Sequence, residues 1–521
     1  MTQAADLLLT NAEVHTLTDP DETHEAVAVR DGRIVRVGNS YELRFLDGVD
    51  TDVVDLDGRV LLPGFIDAHT HLTATGRYLV HADLSGATGP AEAVERLQTR
   101  ADETAGESDA DDEDSRDEWV LGFGYDESTW DEKRYLTRED LDAVSDSRPV
   151  AAFREDMHVA SLNSVALDRL LSEMPSEDVH REGGEPTGVV VEEAVDPVYA
   201  TIEPDAEGTE RLVRAAQSYA NKRGVTAIHD MVRKSRAPEV YRALDLADDL
   251  TVRVRINYWA DHLDALIETG ERTNYGSDFV QTGAIKSYTD GSFGGRTAKL
   301  SEPYSDAPDE TGQWVVGPDE LAEYVARADE AGFQFTAHAI GDEAIDAVLD
   351  AYENCEDPGE SRHRIEHVEL ASEEAIERFG DLGVVASVQP NFLKWAGETG
   401  LYADRLGDRR TATNRYPALL DAGARLAFGS DCMPLDPLLG IHHAVNAPAD
   451  SQRLGVTEAL RAYTLGAAYA GFDEDESGTV EVGKRADLVA LDGSPWETPD
   501  AIRDVDVALT VVDGDVVYDG R

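Results

Sequence analysis

Short runs of apolar residues recur along the middle of the chain, and each run stops at polar residues. A first run at residues 61–66 leads into His69, and seven more stop at His229 and Asp230, Asn257, Lys286, His338, His367, Gln389 and Asp431. Most stops are one strand plus one helix apart, which is typical of β/α units whose strands form a parallel sheet. Eight such strands predict an α/β fold with a (β/α)8 barrel, whose functional residues lie at the carboxyl ends of the strands.

Both ends of the chain have a different pattern, in which short strands alternate with hairpin signals such as Asp31-Gly32 and Asp513-Gly514. We therefore expect residues 1–60 and 476–521 to form one composite β-sandwich, with the barrel spanning residues 61–475. The step from His69 to His229, 229 − 69 = 160 residues, is far longer than one β/α unit. A large insert is therefore predicted after the first barrel strand, at residues 73–210, as a lid or separate subdomain.

The pair His69 and His71 stands where the first barrel strand ends. Side chains two residues apart on a strand share a face, so the two imidazoles form half of a divalent-metal site. Taken alone, a histidine in a strand is more often structural, and an aspartate after a strand more often caps a helix. However, His338, His367 and Asp431 end three other strands of the same barrel. Because these strands end around a common axis, the five residues together predict a metal site.

Lys286 ends the fourth barrel strand in a chain that contains only seven lysines. Beside divalent cations, a buried lysine would lose its proton readily. The neutral amine can add carbon dioxide to form a carbamate, an anionic oxygen ligand able to bridge two metal ions. The alternative is a structural or anion-pairing lysine, and the spacing alone favours neither.

The charge balance excludes two classes of partner. The formal net charge is 46 − 106 = −60, and both nucleic acids and anionic membranes require positive surface. The acids are spread along the whole chain, which favours a halophilic surface adapted to high salt, and the dense run at residues 109–114 is interpreted as a solvated loop. Two cysteines and the absence of a signal or membrane-spanning run favour a reducing cytoplasm.

Several longer motifs carry a resemblance to a known family. They are PGFIDAHTHL at residues 63–72, Lys286, His338, His367, GSD at 429–431 and VGKRADLVAL at 482–491. With these motifs the chain resembles the amidohydrolase superfamily of metal-dependent hydrolases. Further motifs resemble the branch that contains N-substituted formamide deformylases, of the amidohydrolase family 3 type: GVTAIHDM at 224–231, IKSYTDGSFGGRTA at 285–298, AHAIGDEAI at 337–345, RHRIEHVEL at 362–370 and SVQPNF at 387–392.

The resemblance implies a role for each candidate ligand. His69 and His71 would bind the more buried metal with Asp431, His338 and His367 would bind a second metal, and a carboxylated Lys286 would bridge them. Zinc is the expected metal, with two ions per chain. The implied reaction is cleavage of a carbon–nitrogen bond, of an amide or formamide-like substrate, by metal-activated hydroxide. Asp431 would act as general base and then pass the proton to the leaving nitrogen.

Substrate contacts and competing functions are left more open by the sequence. Six residues are candidates for contact with the substrate, and a structural role is equally expected for each of them. They are Tyr125, Trp130, His229, Asp290, Arg296 and Gln389. A mononuclear deaminase-like hydrolase would need the same histidines without a carbamate. A non-catalytic regulatory protein on the same fold is disfavoured because no ligand position is lost. The expected partner is a small amide-like molecule, and a homodimer is compatible with this reading.

Overall fold

Eight parallel strands joined in chain order form the central barrel. The computed structural model describes residues 3–107, 119–155 and 157–521, so the acidic run at 109–114 lies outside the described residues. The barrel strands are Phe65–Thr70, Val225–Val232, Arg253–Trp259, Val280–Tyr288, Phe335–Ala339, Arg364–His367, Val385–Val388 and Arg425–Phe428. Just beyond the eighth strand, the Asp431 N–H donates to the carbonyl of His69 at 2.8 Å, which brings the last strand back to the first. The predicted (β/α)8 barrel is confirmed.

Burial on both faces explains why the barrel strands read as nearly continuous apolar runs. All residues of Phe65–Thr70, Arg253–Trp259 and Phe335–Ala339 are buried, because one face packs inside the barrel and the other against helices. The α-helices of this part are Ala206–Lys222, Ala237–Leu246, Leu263–Thr269, Pro318–Glu330, Asp342–Tyr352, Glu373–Leu382, Leu401–Leu406, Tyr416–Asp421, Pro437–Val445, Val456–Arg461 and Ala467–Ala470. None of the helices in the described ranges is long and apolar enough to cross a membrane.

The apolar run at residues 61–66 forms two strands, so its interpretation as a single strand is wrong. Val60–Pro63 belongs to a sheet outside the barrel, whereas Phe65–Thr70 is the first barrel strand. Gly64 separates them, and a Cβ at this position would lie 2.3 Å from the Thr226 side chain. Only glycine allows the chain to change sheets this close to the second barrel strand.

Two further sheets are built from the ends of the chain. The first contains Arg33–Gly38, Ala26–Arg30, Leu7–Thr10 and Asp52–Asp55. The second takes strands from both ends, in the order Asp515–Asp519, Val507–Val512, Leu488–Leu491, Val60–Pro63, Glu13–His15 and Thr23–His24. Leu9 and Val27 of the first sheet share one hydrophobic cluster with Leu61, Leu488 and Leu509 of the second. A short helix, Ser40–Leu43, lies between the strands of the first sheet in sequence.

Residues Thr73–Ala216 form a compact unit of their own. Its sheet has the strand order Val179–Glu182, Glu185–Val191, Val159–Leu162, Val150–Arg154, Val120–Tyr125 and Ala82–Asp83. Helices at Pro90–Glu107, Arg138–Asp142, Ser164–Leu170 and Asp196–Ile202 belong to this unit, and Leu72–Val80 leads into it. Two buried hydrophobic clusters, one around Phe153 and the other around Trp130, give the insert its own core.

Candidate metal centre

Three side chains converge where the first and eighth barrel strands end. Their ligand atoms, from His69, His71 and Asp431, all lie within 4.8 Å of one another. The Asp431 Oδ1 atom is 3.5 Å from His69 Nε2 and 3.4 Å from His71 Nε2. This close approach depends on Gly429, where a Cβ would lie 2.5 Å from the His69 backbone nitrogen. Two imidazoles and a carboxylate at such distances could hold one divalent ion.

The other ring nitrogen of each histidine fixes its tautomer. His69 Nδ1 donates to Glu366 Oε2 at 2.7 Å, and His71 Nδ1 donates to the carbonyl oxygen of Met231 at 3.0 Å. Because both acceptors can only accept, each Nδ1 carries the proton of the neutral ring. The Nε2 lone pairs of both rings are therefore free, and both point toward Asp431.

A buried network stands behind His69. Glu366 Oε1 lies 2.8 Å from Arg364 Nη2 and accepts from the Thr336 hydroxyl at 2.6 Å, and Arg364 Nη1 donates to His229 Nδ1 at 2.9 Å. Burial raises the pKa of Glu366, but Arg364 and His69 outweigh it and hold that pKa well below its usual range. Arg364 and Glu366 were not predicted from the sequence. Five of the six residues at 362–367 are ionisable, and the last four of the six form a wholly buried strand, which is the signal that could have found them.

His338 and His367 end neighbouring strands beside this cluster. Their ring centroids are 4.3 Å apart, and the His367 ring lies 5.1 Å from that of His69. His338 Nε2 donates to the Gly291 carbonyl at 2.9 Å, which leaves its Nδ1 with a free lone pair. His367 Nδ1 is buried and has no hydrogen-bond partner in the described ranges. The structure thus brings four histidines and one carboxylate to one end of the barrel.

The backbone is strained at two of these positions. His367 and Val368 have φ angles of 75° and 50°, and Asp431 and Cys432 have 52° and 51°. The left-handed region is costly for residues with a Cβ, and a β-branched residue there is a genuine outlier. Strain of this kind persists where the surrounding structure fixes it, and such positions cluster at functional sites.

Burial keeps the histidines neutral. It lowers the pKa of His71 to about 4 and that of His338 to about 3, with the charge of Lys286 acting in the same direction. It also lowers the pKa of His69, although Glu366 opposes this shift. Neutral imidazole is the form that binds metal, so the rings are ready for an ion at neutral pH.

Lys286 lies at the same end of the barrel and forms no ion pair within 4 Å among the described residues. Its Nζ is buried and hydrogen-bonds to none of the described residues. Burial lowers the pKa of Lys286 to about 8, while Glu366 and Asp431 act in the opposite direction. A substantial fraction of this amine is therefore neutral at slightly alkaline pH, which is the form that reacts with carbon dioxide.

Four of the predicted substrate contacts have structural partners or lie buried in the barrel. His229 accepts from Arg364, and the Asp290 carboxylate accepts backbone N–H groups of the loop and of the fifth strand's end, at 2.8 to 3.1 Å. Arg296 pairs with Asp306 at 2.8 Å. The Gln389 side chain is buried, and its Oε1 has no hydrogen-bond partner among the described residues. Substrate contact by these four residues stays a prediction.

Tyr125 and Trp130 belong to the core of the insert. The Tyr125 hydroxyl lies 3.1 Å from the Ser161 hydroxyl, and Trp130 Nε1 donates to the Ala87 carbonyl at 2.7 Å. Their rings stack with centroids 5.5 Å apart. Both side chains are thus buried and satisfied within the unit, and their contact with substrate stays a prediction.

A second group of ligand-type side chains is found at the opposite end of the strands. Asp329, Cys355 and His363 also have ligand atoms within 4.8 Å of one another. His363 Nε2 lies 3.2 Å from Asp329 Oδ1, and His363 Nδ1 accepts the backbone N–H of Phe335 at 3.1 Å. His363 and Phe335 precede and begin their strands, so this group is remote from the strand ends that carry His69 and Asp431.

Comparisons of sequence and structure with known proteins identify the family of this chain. A sequence profile described as "Amidohydrolase family" matches residues 52–518. The chain is 32% identical to Protein LONG AFTER FAR-RED 3 of Arabidopsis thaliana, covering 99% of this chain and 92% of the relative, and 27% identical to the N-substituted formamide deformylase of Arthrobacter pascens, covering 100% and 99%. A crystal structure of an uncharacterized metal-dependent hydrolase from Pyrococcus furiosus superposes with a TM-score of 0.79 at 31% identity, covering 94% of this chain and 99% of that one. The chain belongs to the amidohydrolase family.

Proposed function

We propose that the protein is a divalent-metal-dependent hydrolase that cleaves the carbon–nitrogen bond of an amide or N-substituted formamide. The observation that carries this proposal is the convergence of two free Nε2 lone pairs and one carboxylate at the barrel end. The similarity to a metal-dependent hydrolase supports the reaction class. Similarity to an N-substituted formamide deformylase supports the choice of bond.

The donor set fits metal ions, and in particular zinc. His69, His71 and Asp431 would hold one ion, and His338 and His367 would hold a second. Nitrogen donors together with carboxylate oxygen are typical zinc ligands. The Lys286 amine, which has no hydrogen-bond partner among the described residues, fits the proposed bridging carbamate. Carbon dioxide can add to its neutral Nζ with loss of one proton. The resulting carbamate would be a bridging ligand between the two ions.

Proton transfer is the chain's own part in the proposed reaction. A bound divalent ion would supply Lewis acidity and a lowered pKa for water. The Asp431 carboxylate lies beside both histidines, and burial raises its pKa above the usual range. It can therefore accept a proton from the attacking water and return it to the leaving nitrogen. Asp431 has a φ of 52°, and its N–H donates to the His69 carbonyl at 2.8 Å, which holds the residue beside the first barrel strand.

The proposal is tested by loading the metal-free protein with zinc in high salt and assaying N-substituted formamides, acyclic amides and lactams for release of amine. We expect zinc-dependent turnover of at least one class, and loss of that turnover in Asp431→Asn. A zinc-loaded protein that hydrolyses no carbon–nitrogen bond would refute the proposed reaction. Full turnover by Asp431→Asn would refute the role of Asp431 as general base.

A mononuclear hydrolase remains the second candidate, since the compact cluster of His69, His71 and Asp431 already suffices for one ion. Metal analysis separates the two candidates. Two ions per chain, together with a carbamate signal after incubation with ¹³C-bicarbonate, is the result expected for the binuclear centre. One ion per chain and an unmodified Lys286 would establish the mononuclear one.

A further inference from the structure

Tyr288 is the last residue of the fourth barrel strand, and it was not singled out by the sequence. It lies two residues after Lys286, so the two side chains share a strand face. Its ring meets that of His338 edge-on with centroids 5.0 Å apart, and it packs on Trp259 at the same distance. Tyr288 therefore lies one layer beyond Lys286, next to a proposed metal ligand.

The hydroxyl of Tyr288 differs from those of the other tyrosines around the barrel. It makes no hydrogen bond to a side chain or backbone group of the described ranges, and its side chain is only partly buried. The fully buried tyrosines of the barrel region all donate within the protein, namely Tyr241, Tyr304, Tyr352, Tyr402, Tyr416 and Tyr463. Tyr288 thus presents a free donor where solvent and substrate can reach it.

Aromatic rings on two sides hold Tyr288 in place. Arg233 lies over the Trp259 ring at 5.6 Å from its centroid, and Trp259 in turn supports Tyr288. The phenol is therefore held between the rings of His338 and Trp259, two residues beyond Lys286 on the same strand face.

We propose that Tyr288 is a further catalytic residue that donates a hydrogen bond to the carbonyl oxygen of the substrate. The inference rests on the proposed function. As the oxygen of water bonds to the carbonyl carbon, the π electrons of the carbonyl move to its oxygen, and that oxygen becomes negative. The phenol stabilises this charge through a hydrogen bond without transferring its proton. A donor fixed before the reaction costs no reorganisation when the charge develops.

The first test uses Tyr288→Phe, which keeps the ring against His338 and Trp259 and removes only the hydroxyl. We expect kcat to fall about 10²–10³-fold on the amide with the highest wild-type turnover, with KM and zinc content little changed. Tyr275→Phe is the matched control, because Tyr275 is exposed and lies outside the proposed centre. Unchanged kcat in Tyr288→Phe, or loss of zinc from it, would overturn the proposal in favour of a packing role.

A second test does not depend on turnover. Methylphosphonate is a tetrahedral oxyanion and acetate a planar one, and both can be titrated into the zinc-loaded protein by calorimetry. We expect Tyr288→Phe to weaken methylphosphonate about tenfold and acetate much less, because one hydrogen bond to a charged oxygen is lost. Equal affinities in wild type and variant, or no methylphosphonate binding by the wild type, would overturn the proposal. This arm decides the role of Tyr288 even if no amide is hydrolysed.

Discussion

Among the residues that the structure describes, two groups of side chains have the residue types of a metal site, but only one of these groups leaves its histidine nitrogens unprotonated where an ion would bind. At the carboxyl ends of the strands, His69 gives its Nδ1 proton to Glu366 and keeps its Nε2 lone pair free. At the other end, His363 accepts the Phe335 N–H at Nδ1, so its proton lies on Nε2, the atom that faces Asp329. A protonated nitrogen cannot bind a metal ion.

The difference shows that the partner of the remote ring nitrogen decides what a histidine cluster can do. A carboxylate behind the ring frees the facing nitrogen, whereas a backbone N–H behind the ring blocks it. In the Asp329 group, burial and Asp329 also raise the pKa of the Cys355 thiol to about 12, so a metal ion would have to displace the thiol proton in order to bind. Both groups consist of residue types that bind metal ions. Residue type and sequence spacing alone therefore cannot show which of the two groups could hold an ion.

The largest expected effect comes from matched carboxylate substitutions in the two groups. Asp431→Asn removes both a proposed ligand and the proposed base, so turnover should fall at least about 10³-fold. Asp329→Asn should leave turnover unchanged, because its partner His363 lies at the amino end of its strand, opposite the strand ends that carry His69 and Asp431. Steady-state assays of amine release on both variants check this. Similar losses in the two variants would contradict the distinction between the groups.

Glu366→Gln should convert His69 to the tautomer of His363. With its amide oxygen held by Arg364, the glutamine presents its NH2 group to His69 Nδ1, which must then accept. The proton moves to Nε2, and zinc affinity should fall about 10–100-fold in chelator competition.

The control for this variant is Asp487→Asn, which breaks the buried ion pair between Asp487 and Arg253, 2.7 Å apart, far from the histidines. It should cost on the order of 3 kcal/mol of unfolding free energy and leave zinc affinity intact. Equal zinc affinity in Glu366→Gln and wild type would disprove the tautomer argument.

The pH dependence of carbamate formation should distinguish Lys286, which has no ion-pair partner among the described residues, from a lysine that forms an ion pair. Because the pKa of Lys286 is lowered from 10.5 to about 8, its neutral fraction rises as the pH increases through 8. Incorporation of ¹³C-bicarbonate into metal-free protein should therefore increase between about pH 7 and 9 and then level off. NMR of the labelled carbamate follows this. Lys299, which pairs with Glu343 at 2.7 Å, should stay unlabelled, and Lys286→Met should abolish the signal.

The smallest effect is expected for Cys355→Ala. The thiol stays protonated at neutral pH and contributes packing, so its loss should cost about 1 kcal/mol of unfolding free energy. Zinc content per chain should not change. Loss of one zinc ion from this variant, measured by elemental analysis, would reinstate the Asp329 group as a metal site.

The sequence predicted the barrel because buried parallel strands are apolar runs, and their polar ends marked His69, His338, His367 and Asp431. Their use as ligands stays a prediction, although they do come together. The network behind His69 could not be predicted, because strict alternation puts Glu366 and His367 on opposite faces of a strand. The positive φ at His367 breaks that alternation, so both side chains reach the site. Tyr288 could not be predicted as a site residue, because an aromatic residue at the end of a strand is typical of a hydrophobic core.

One sheet pairs strands from the two ends of the chain, which are synthesised at very different times. Val60–Pro63 pairs with Leu488–Leu491, and one residue later the chain enters the strand that carries His69. The partner strand is synthesised 488 − 63 = 425 residues afterwards, a delay of roughly 20–85 s at ribosomal rates of about 5–20 residues per second. Throughout that interval, the edge of Val60–Pro63 that later pairs with Leu488–Leu491 lacks its partner strand, next to the strand that carries two of the proposed metal ligands. Premature termination before residue 488 would therefore release a product that contains every proposed ligand but lacks the neighbouring strand that anchors the first two.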